Sequence, residues 1–180
     1  MKPNIYVLQG VGNRGKSTTL KKLFVRLVDV FGVDIIVSGA NCDDVEKIRQ
    51  EIKQEQKDRR AGTKVMVNNI SVVVAINNIR IGIHSSGDWR QSIQDALDLF
   101  RKNQCDIGIC ASRTKGGCID ELKKVTDYEV LFVDKLSIEG KDAVKWDKFN
   151  DLIEELQDWQ VEELLKKISS VIEVKHRFNQ

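Results

Sequence analysis

Residues 10 to 17 read Gly10, Val11, Gly12, Asn13, Arg14, Gly15, Lys16, Ser17, three glycines in eight residues and then at once a cation and a hydroxyl. A glycine-rich turn lets successive backbone N–H groups point inward at an anion, and a helix that opens directly after it adds the positive end of its dipole. In such a cradle Lys16 is a mobile cation for the outer phosphates of a polyphosphate ligand, and the Ser17 hydroxyl is placed to ligate Mg²⁺. Arg14 is a second cation near the terminal phosphate. The candidate binding residues are therefore Gly10, Gly12, Asn13, Arg14, Gly15, Lys16, Ser17 and Thr18.

The elements on either side suit this chemistry. Ile5, Tyr6, Val7 and Leu8 form a short apolar β-prone run, as expected of a strand buried on both faces of a parallel sheet. From Lys16 onward Leu20, Leu23, Phe24, Leu27, Val30 and Phe31 recur at three- and four-residue steps, with Lys21, Lys22 and Arg26 between them and Gly32 as a stop. The segment thus satisfies G-x-x-x-x-G-K-[S/T] between a strand and a helix, and on these residues the chain resembles the P-loop NTPase superfamily. The resemblance is strong over residues 1–32 and elsewhere rests on the order of elements. It implies ATP or GTP as ligand, with Mg²⁺, and a sheet of the P-loop type.

Proteins of that kind place an acid at the end of a neighbouring strand to support the metal. Here the run Ile79–Ile83 is the best such strand, and its tip offers His84 and then Asp88. Against the D-x-x-G signature of GTPases, Gly87 falls in place, His84 replaces the aspartate, and Asp88 takes the position that commonly orients the attacking water. Asp88 is accordingly a candidate for metal support or for water positioning, the alternative being a cap on the helix that follows. The loop Ser112, Arg113, Thr114, Lys115 follows a further strand, and Arg113 is a candidate phosphate or acceptor contact. Thr114, Lys115, Gly116, Gly117 resembles the [N/T]-K-x-D guanine signature only in its first half. With Gly117 in place of the guanine-reading aspartate, ATP is expected to bind at least as well as GTP.

The rest of the chain has to bring these loops together. Val33–Val37 reads as a second buried strand, and Asp43 or Asp44 as the cap of a helix carrying Val45, Ile48 and Ile52 and ending in a solvated mixed-charge stretch through Arg60. Ile70–Ile76 and Ile79–Ile83 flank Asn77 and Asn78, a pair suited to a tight hairpin turn. Trp89, Ile93, Ala96, Leu97 and Phe100 mark a helix, Ile107, Ile109 and Ala111 a strand, residues 119–125 a short helix and Val130–Val133 another strand. This alternation predicts a three-layer α/β/α sandwich with a mainly parallel sheet and one antiparallel strand from the hairpin.

From Trp146 to Ile172 a single helical pattern runs without proline or glycine, and its apolar stripe changes phase near Asp158. Phe149, Leu152, Ile153 and Leu156 form one stripe, and Val161, Leu164, Leu165, Ile168, Val171 and Ile172 another. Either the helix breaks at Asp158 or its second half meets another surface, such as a second copy of the chain. Residues 1–145 are thus read as a nucleotide-binding domain and 146–180 as a helical extension packed on it or on a partner.

Composition narrows the classes. The 29 basic and 27 acidic residues leave a formal charge of +2, too little to favour nucleic acid or an anionic membrane. Four cysteines without C-x-x-C spacing and two histidines give no zinc pattern, and reduced thiols in the cytoplasm are expected. No run of about 18 apolar residues is present. Three readings follow: an ATPase or nucleotide-gated, GTPase-like switch; a small-molecule kinase whose acceptor is gathered by Asn41, Asp43, Arg59, Arg60 or Arg113; and a nucleotide-stabilised scaffold whose C-terminal helix binds a partner.

Overall fold

The computed structural model describes residues 2–11, 15–39, 42, 44–63, 67–136 and 149–178. Six strands form one mixed sheet: β1 (Asn4–Gln9), β2 (Asp34–Ser38), β3 (Ser71–Ile76), β4 (Ile79–His84), β5 (Ile107–Ser112) and β6 (Glu129–Asp134), in the order β2-β3-β4-β5-β1-β6. The pairs β4–β5, β5–β1 and β1–β6 are parallel, whereas β3 runs antiparallel to both β4 and β2. Asn77 and Asn78, both with positive φ (49° and 66°), make the two-residue turn that joins β3 to β4. That conformation suits asparagine, whose side chain tolerates the left-handed region.

Among the described residues, five helices cover the sheet: α1 (Lys16–Phe31), α2 (Val45–Arg60), α3 (Arg90–Lys102), α4 (Gly117–Lys123) and α5 (Asn150–Phe178). Alternate residues of the strands point to opposite faces. Tyr6, Leu8, Ile81, Ile83, Ile107 and Ile109 therefore pack with α1, α2 and α5, while Ile5, Val7, Val73 and Cys110 pack with α3 and α4. On the second face the Phe100 ring lies flat over Gly82 and Gly108. A Cβ on Gly108 would stand 2.6 Å from the ring, so these two strand positions have to be glycine for α3 to approach.

The structure changes the reading of β2 and of the end of α2, and it selects Asp44 as the α2 cap. β2 is an exposed edge strand, with Ile35 and Ile36 facing outward, because it pairs only with β3. α2 is capped by Asp44, which accepts from the Lys47 N–H at 2.9 Å; Asp43 lies outside the described residues. Its last turns are not simply solvated, since Glu55 turns inward and is buried. The cause is the position of α1, which lies between α2 and α5 and so has little solvent-facing surface. Lys21, spaced as a polar-face residue, is fully buried and pairs with Glu55.

α5 does not break at Asp158. It continues through that residue, which pairs with Lys22 of α1 at 2.7 Å, and further ion pairs hold it alongside: Arg26 to Glu162 at 2.8 Å, and Arg60 to Asp151 and Glu154 at 3.0 and 3.1 Å. Val161, Leu164, Leu165, Ile168 and Ile172 are buried in the same core as α1 and β1. The second stripe, which the sequence left open to a partner or to the chain's own domain, thus packs into that domain, and the large apolar residues left exposed here are Phe149, Leu152, Trp159 and Val174. The boundary placed at residue 145 lies outside the described residues. No described helix is long and apolar enough to cross a membrane.

Candidate functional site

Because β1, β4, β5 and β6 run in one direction, their C-terminal ends share one edge of the sheet, and the loops that leave them converge there. The ladder carries one bond past the strands on each side of β1. Gly10 N–H donates to Ser112 C=O at 3.1 Å, and Lys135 N–H donates to Gln9 C=O at 2.7 Å. The glycine segment is thereby fixed at its first residue between the tips of β5 and β6.

At its other end Gly15 adopts a left-handed conformation (φ 75°) and α1 begins at once with Lys16. The N-cap of α1 is Gly15, and among the described residues no side-chain cap bond closes this end, an arrangement that suits an anion. Gly12, Asn13 and Arg14, all expected in the binding segment, lie outside the described residues. Lys16 is buried and folds back, donating to the carbonyls of Gly10 and Val11, each at 3.0 Å. Burial lowers its pKa, the Asp88 carboxylate opposes that shift, and Arg113 adds to it.

Asp88 reaches this site from the tip of β4. One of its oxygens is 4.0 Å from Lys16 Nζ and 3.1 Å from Arg113 Nε. Lys16, Asp88 and Arg113, each singled out in the sequence, thus stand together, although the neighbour of β1 is β5, so Asp88 arrives from one strand farther away. Gly87 makes this possible: a Cβ there would overlap the Ala111 carbonyl of β5, and the Gly87 C=O accepts from Arg113 N–H at 3.2 Å. Asp88 is not the cap of α3. The N-cap residue is Trp89 and it makes no side-chain cap bond.

His84, one step before the loop, turns away from the glycine segment. Its Nδ1 lies 3.2 Å from the Ser71 hydroxyl, and its buried Nε2 has no hydrogen-bond partner among the described residues. Burial lowers its pKa, with the Asp95 carboxylate opposing that shift. Ser17 Oγ instead meets residues that the sequence did not single out, donating to the Ser85 carbonyl at 2.9 Å and to Asn69 Oδ1 at 3.1 Å. Asn69 and Ser85 have no signal of their own in the sequence, since a polar residue beside a strand end is common.

Thr18, next on α1, points into the helical layer, where its hydroxyl donates to Glu55 at 2.9 Å. Of the possible acceptor contacts among the described residues, Arg113 stands beside the site, Arg59 is half-buried in the last turn of α2 near Glu55, and Arg60 pairs with α5; Asn41 and Asp43 lie outside the described residues. Arg113 also lies over the exposed Trp89 ring, 5.5 Å from its centroid. Gly117 opens α4 against Arg90.

Ser17 and Asp88 offer one hydroxyl and one carboxylate, hard oxygen donors of the kind magnesium takes when phosphate oxygens and water complete its shell. No group of three or more His, Cys, Asp or Glu residues among the described residues is arranged to hold an ion without such help. The four cysteines are buried and none is in a disulfide, and burial pushes the Cys105 and Cys110 thiols up to about 12, which leaves them protonated and unreactive. Comparisons of the chain with protein-family models, with curated proteins and with solved structures gave no match.

Proposed function

We propose that the chain is a magnesium-dependent P-loop nucleotide-binding protein that binds ATP and hydrolyses it. The observation that supports this reading best is the Lys16 ammonium. It is folded over the first two residues of the glycine segment, at the uncapped start of α1, with Asp88 as its facing carboxylate. A lysine buried in this way gains from a phosphate ligand, which offers more negative charge than two carbonyls and a carboxylate at 4.0 Å.

In this reading the backbone N–H groups at the start of α1 and the Lys16 ammonium bind the phosphates, and Arg113 adds charge at the end nearest Asp88. Ser17 and Asp88 would hold the magnesium ion, which supplies charge neutralisation at the phosphate oxygens when bound. Asp88 accepts a hydrogen bond from a water that attacks the terminal phosphorus, breaking its bond to the bridging oxygen and leaving ADP and inorganic phosphate. Asp88→Ala is expected to lower phosphate release at least about a hundredfold, with ATP affinity changed by less than about threefold. Steady-state phosphate release beside an ATP titration checks this, and equal activity in mutant and parent would remove Asp88 from the mechanism.

Base preference follows from Gly117, which offers no carboxylate to a guanine amino group. In competition binding ATP should hold at least as well as GTP, and a strong preference for GTP would contradict this. A second reading, phosphoryl transfer to a small acceptor, is favoured by the exposed Trp89 ring beside Arg113, a flat cationic platform next to Asp88. Phosphate release from ATP alone, set against ATP consumption with a panel of nucleosides and nucleotides, separates the two.

A further inference from the structure

Three lysines gather at the β1 edge of the site, and their charges are answered unequally. Lys22 has Asp158 at 2.7 Å, and Lys16 has Asp88 at 4.0 Å. Lys135, the first residue after β6, is buried, and no carboxylate among the described residues lies within ion-pair distance of it. Its neighbour Asp134 is taken by Gln9, whose Nε2 donates to it at 2.6 Å. Among the described residues the Lys135 ammonium donates to the carbonyl of the adjacent Leu136 at 2.7 Å.

The stem of Lys135 lies against the glycine segment itself. A Cβ on Gly10 would stand 2.9 Å from Lys135 Cβ and 3.8 Å from Lys16 Cδ, so the two lysines flank Gly10 from β6 and from α1. Gly10 is glycine for a reason beyond the phosphate turn: the Lys135 stem fills the space a side chain would need. Burial, with the repulsion of Lys22 and Lys16, pushes the Lys135 pKa down to about 8. A buried cation with no carboxylate partner among the described residues, beside two others, costs folding free energy, and such a cost is retained where the charge meets a ligand.

We propose that Lys135 is a second phosphate-binding cation of this site, entering the glycine segment from β6 on the side opposite Asp88 and Arg113. This rests on the nucleotide-binding reading above and extends it: the triphosphate is held between a cation pair at Gly10 and the Asp88–Arg113 end. The ligand chemistry is the polyphosphate and not the base. Loss of Lys135 should therefore be felt by inorganic tripolyphosphate as much as by a nucleotide.

The test compares parent, K16A and K135M by calorimetric titration with magnesium ATP and with magnesium tripolyphosphate, alongside thermal unfolding of each protein without ligand. K135M is expected to lose about tenfold in affinity for both ligands, and to unfold at the parent's temperature or above it, because a buried like-charge repulsion has been removed. Parent-like affinity in K135M, in an assay where K16A has lost binding, overturns the Lys135 role and leaves the P-loop reading standing. Binding that K16A does not weaken overturns the P-loop reading itself. A loss confined to ATP, with tripolyphosphate unaffected, or a K135M protein less stable than the parent without ligand, assigns Lys135 to the nucleoside or to the core and overturns the proposal as well.

Discussion

Lys16→Ala is expected to abolish turnover and to weaken magnesium ATP binding by at least about a hundredfold, about 2.7 kcal/mol, while the unliganded protein keeps its fold. The ammonium is buried but its bonds go to the Gly10 and Val11 carbonyls, on a loop that water reaches at the exposed Val11. Its removal leaves those acceptors to water and opens no cavity in the apolar core, so the unfolding temperature should move little. The phosphate, in contrast, loses a cation in a partly desolvated place where charge is worth more than in water. Calorimetric titration with a melting curve for each protein checks both halves. Unchanged affinity in a folded mutant would remove the basis for the nucleotide assignment.

Glu55→Ala is expected to destabilise the protein by about 3 kcal/mol, which for a domain of this size lowers the unfolding temperature by about 6–12 °C. Lys21 is fully buried, and Glu55 gives it its nearest carboxylate; Glu51, at 3.3 Å and more exposed, remains as the weaker partner. The mutation leaves a buried ammonium poorly compensated and also takes the acceptor from the Thr18 hydroxyl. Pairing the change with Lys21→Met removes the charge that was left behind, so the double mutant should recover much of the loss. Denaturant unfolding of the two single mutants and the double mutant gives the coupling directly. A Glu55→Ala protein as stable as the parent would mean that water reaches Lys21 and that the pair is not dry.

The Glu55 result has a consequence at the nucleotide site. Thr18 and Lys21 occupy the first two turns of α1, directly after Lys16 and Ser17, and Glu55 ties both to α2. Glu51 extends the same network to Asn68, next to the Asn69 that meets Ser17. The start of α1, proposed to bind the phosphates, is therefore held from behind by a polar network, and on that proposal a looser network should show as weaker ATP binding in Glu55→Ala than its melting temperature alone explains.

Local chemistry was legible in the sequence by itself. The extent of α1 followed from apolar spacing between two glycines, Gly15 and Gly32, both of which take the left-handed conformation that other residues resist. The β3–β4 turn followed from Asn77 and Asn78 for the same reason. That Lys16, Asp88 and Arg113 come together could be read from the sequence because each follows or opens an element whose periodicity is strong, and parallel strands deliver their C-terminal loops to one edge. Only the tertiary structure decided what lies beside what. Periodicity places a residue on a face of its own helix but does not reveal what covers that face. Lys21 and Glu55 therefore looked solvated until α1 was seen between α2 and α5. The second stripe of α5 looked available to a partner until Val161, Leu164 and Ile168 were seen in the chain's own core. Strand order is likewise long-range: that β5 separates β1 from β4, and that β6 sets Lys135 against Gly10, depends on pairings between residues about a hundred positions apart, which no local pattern encodes.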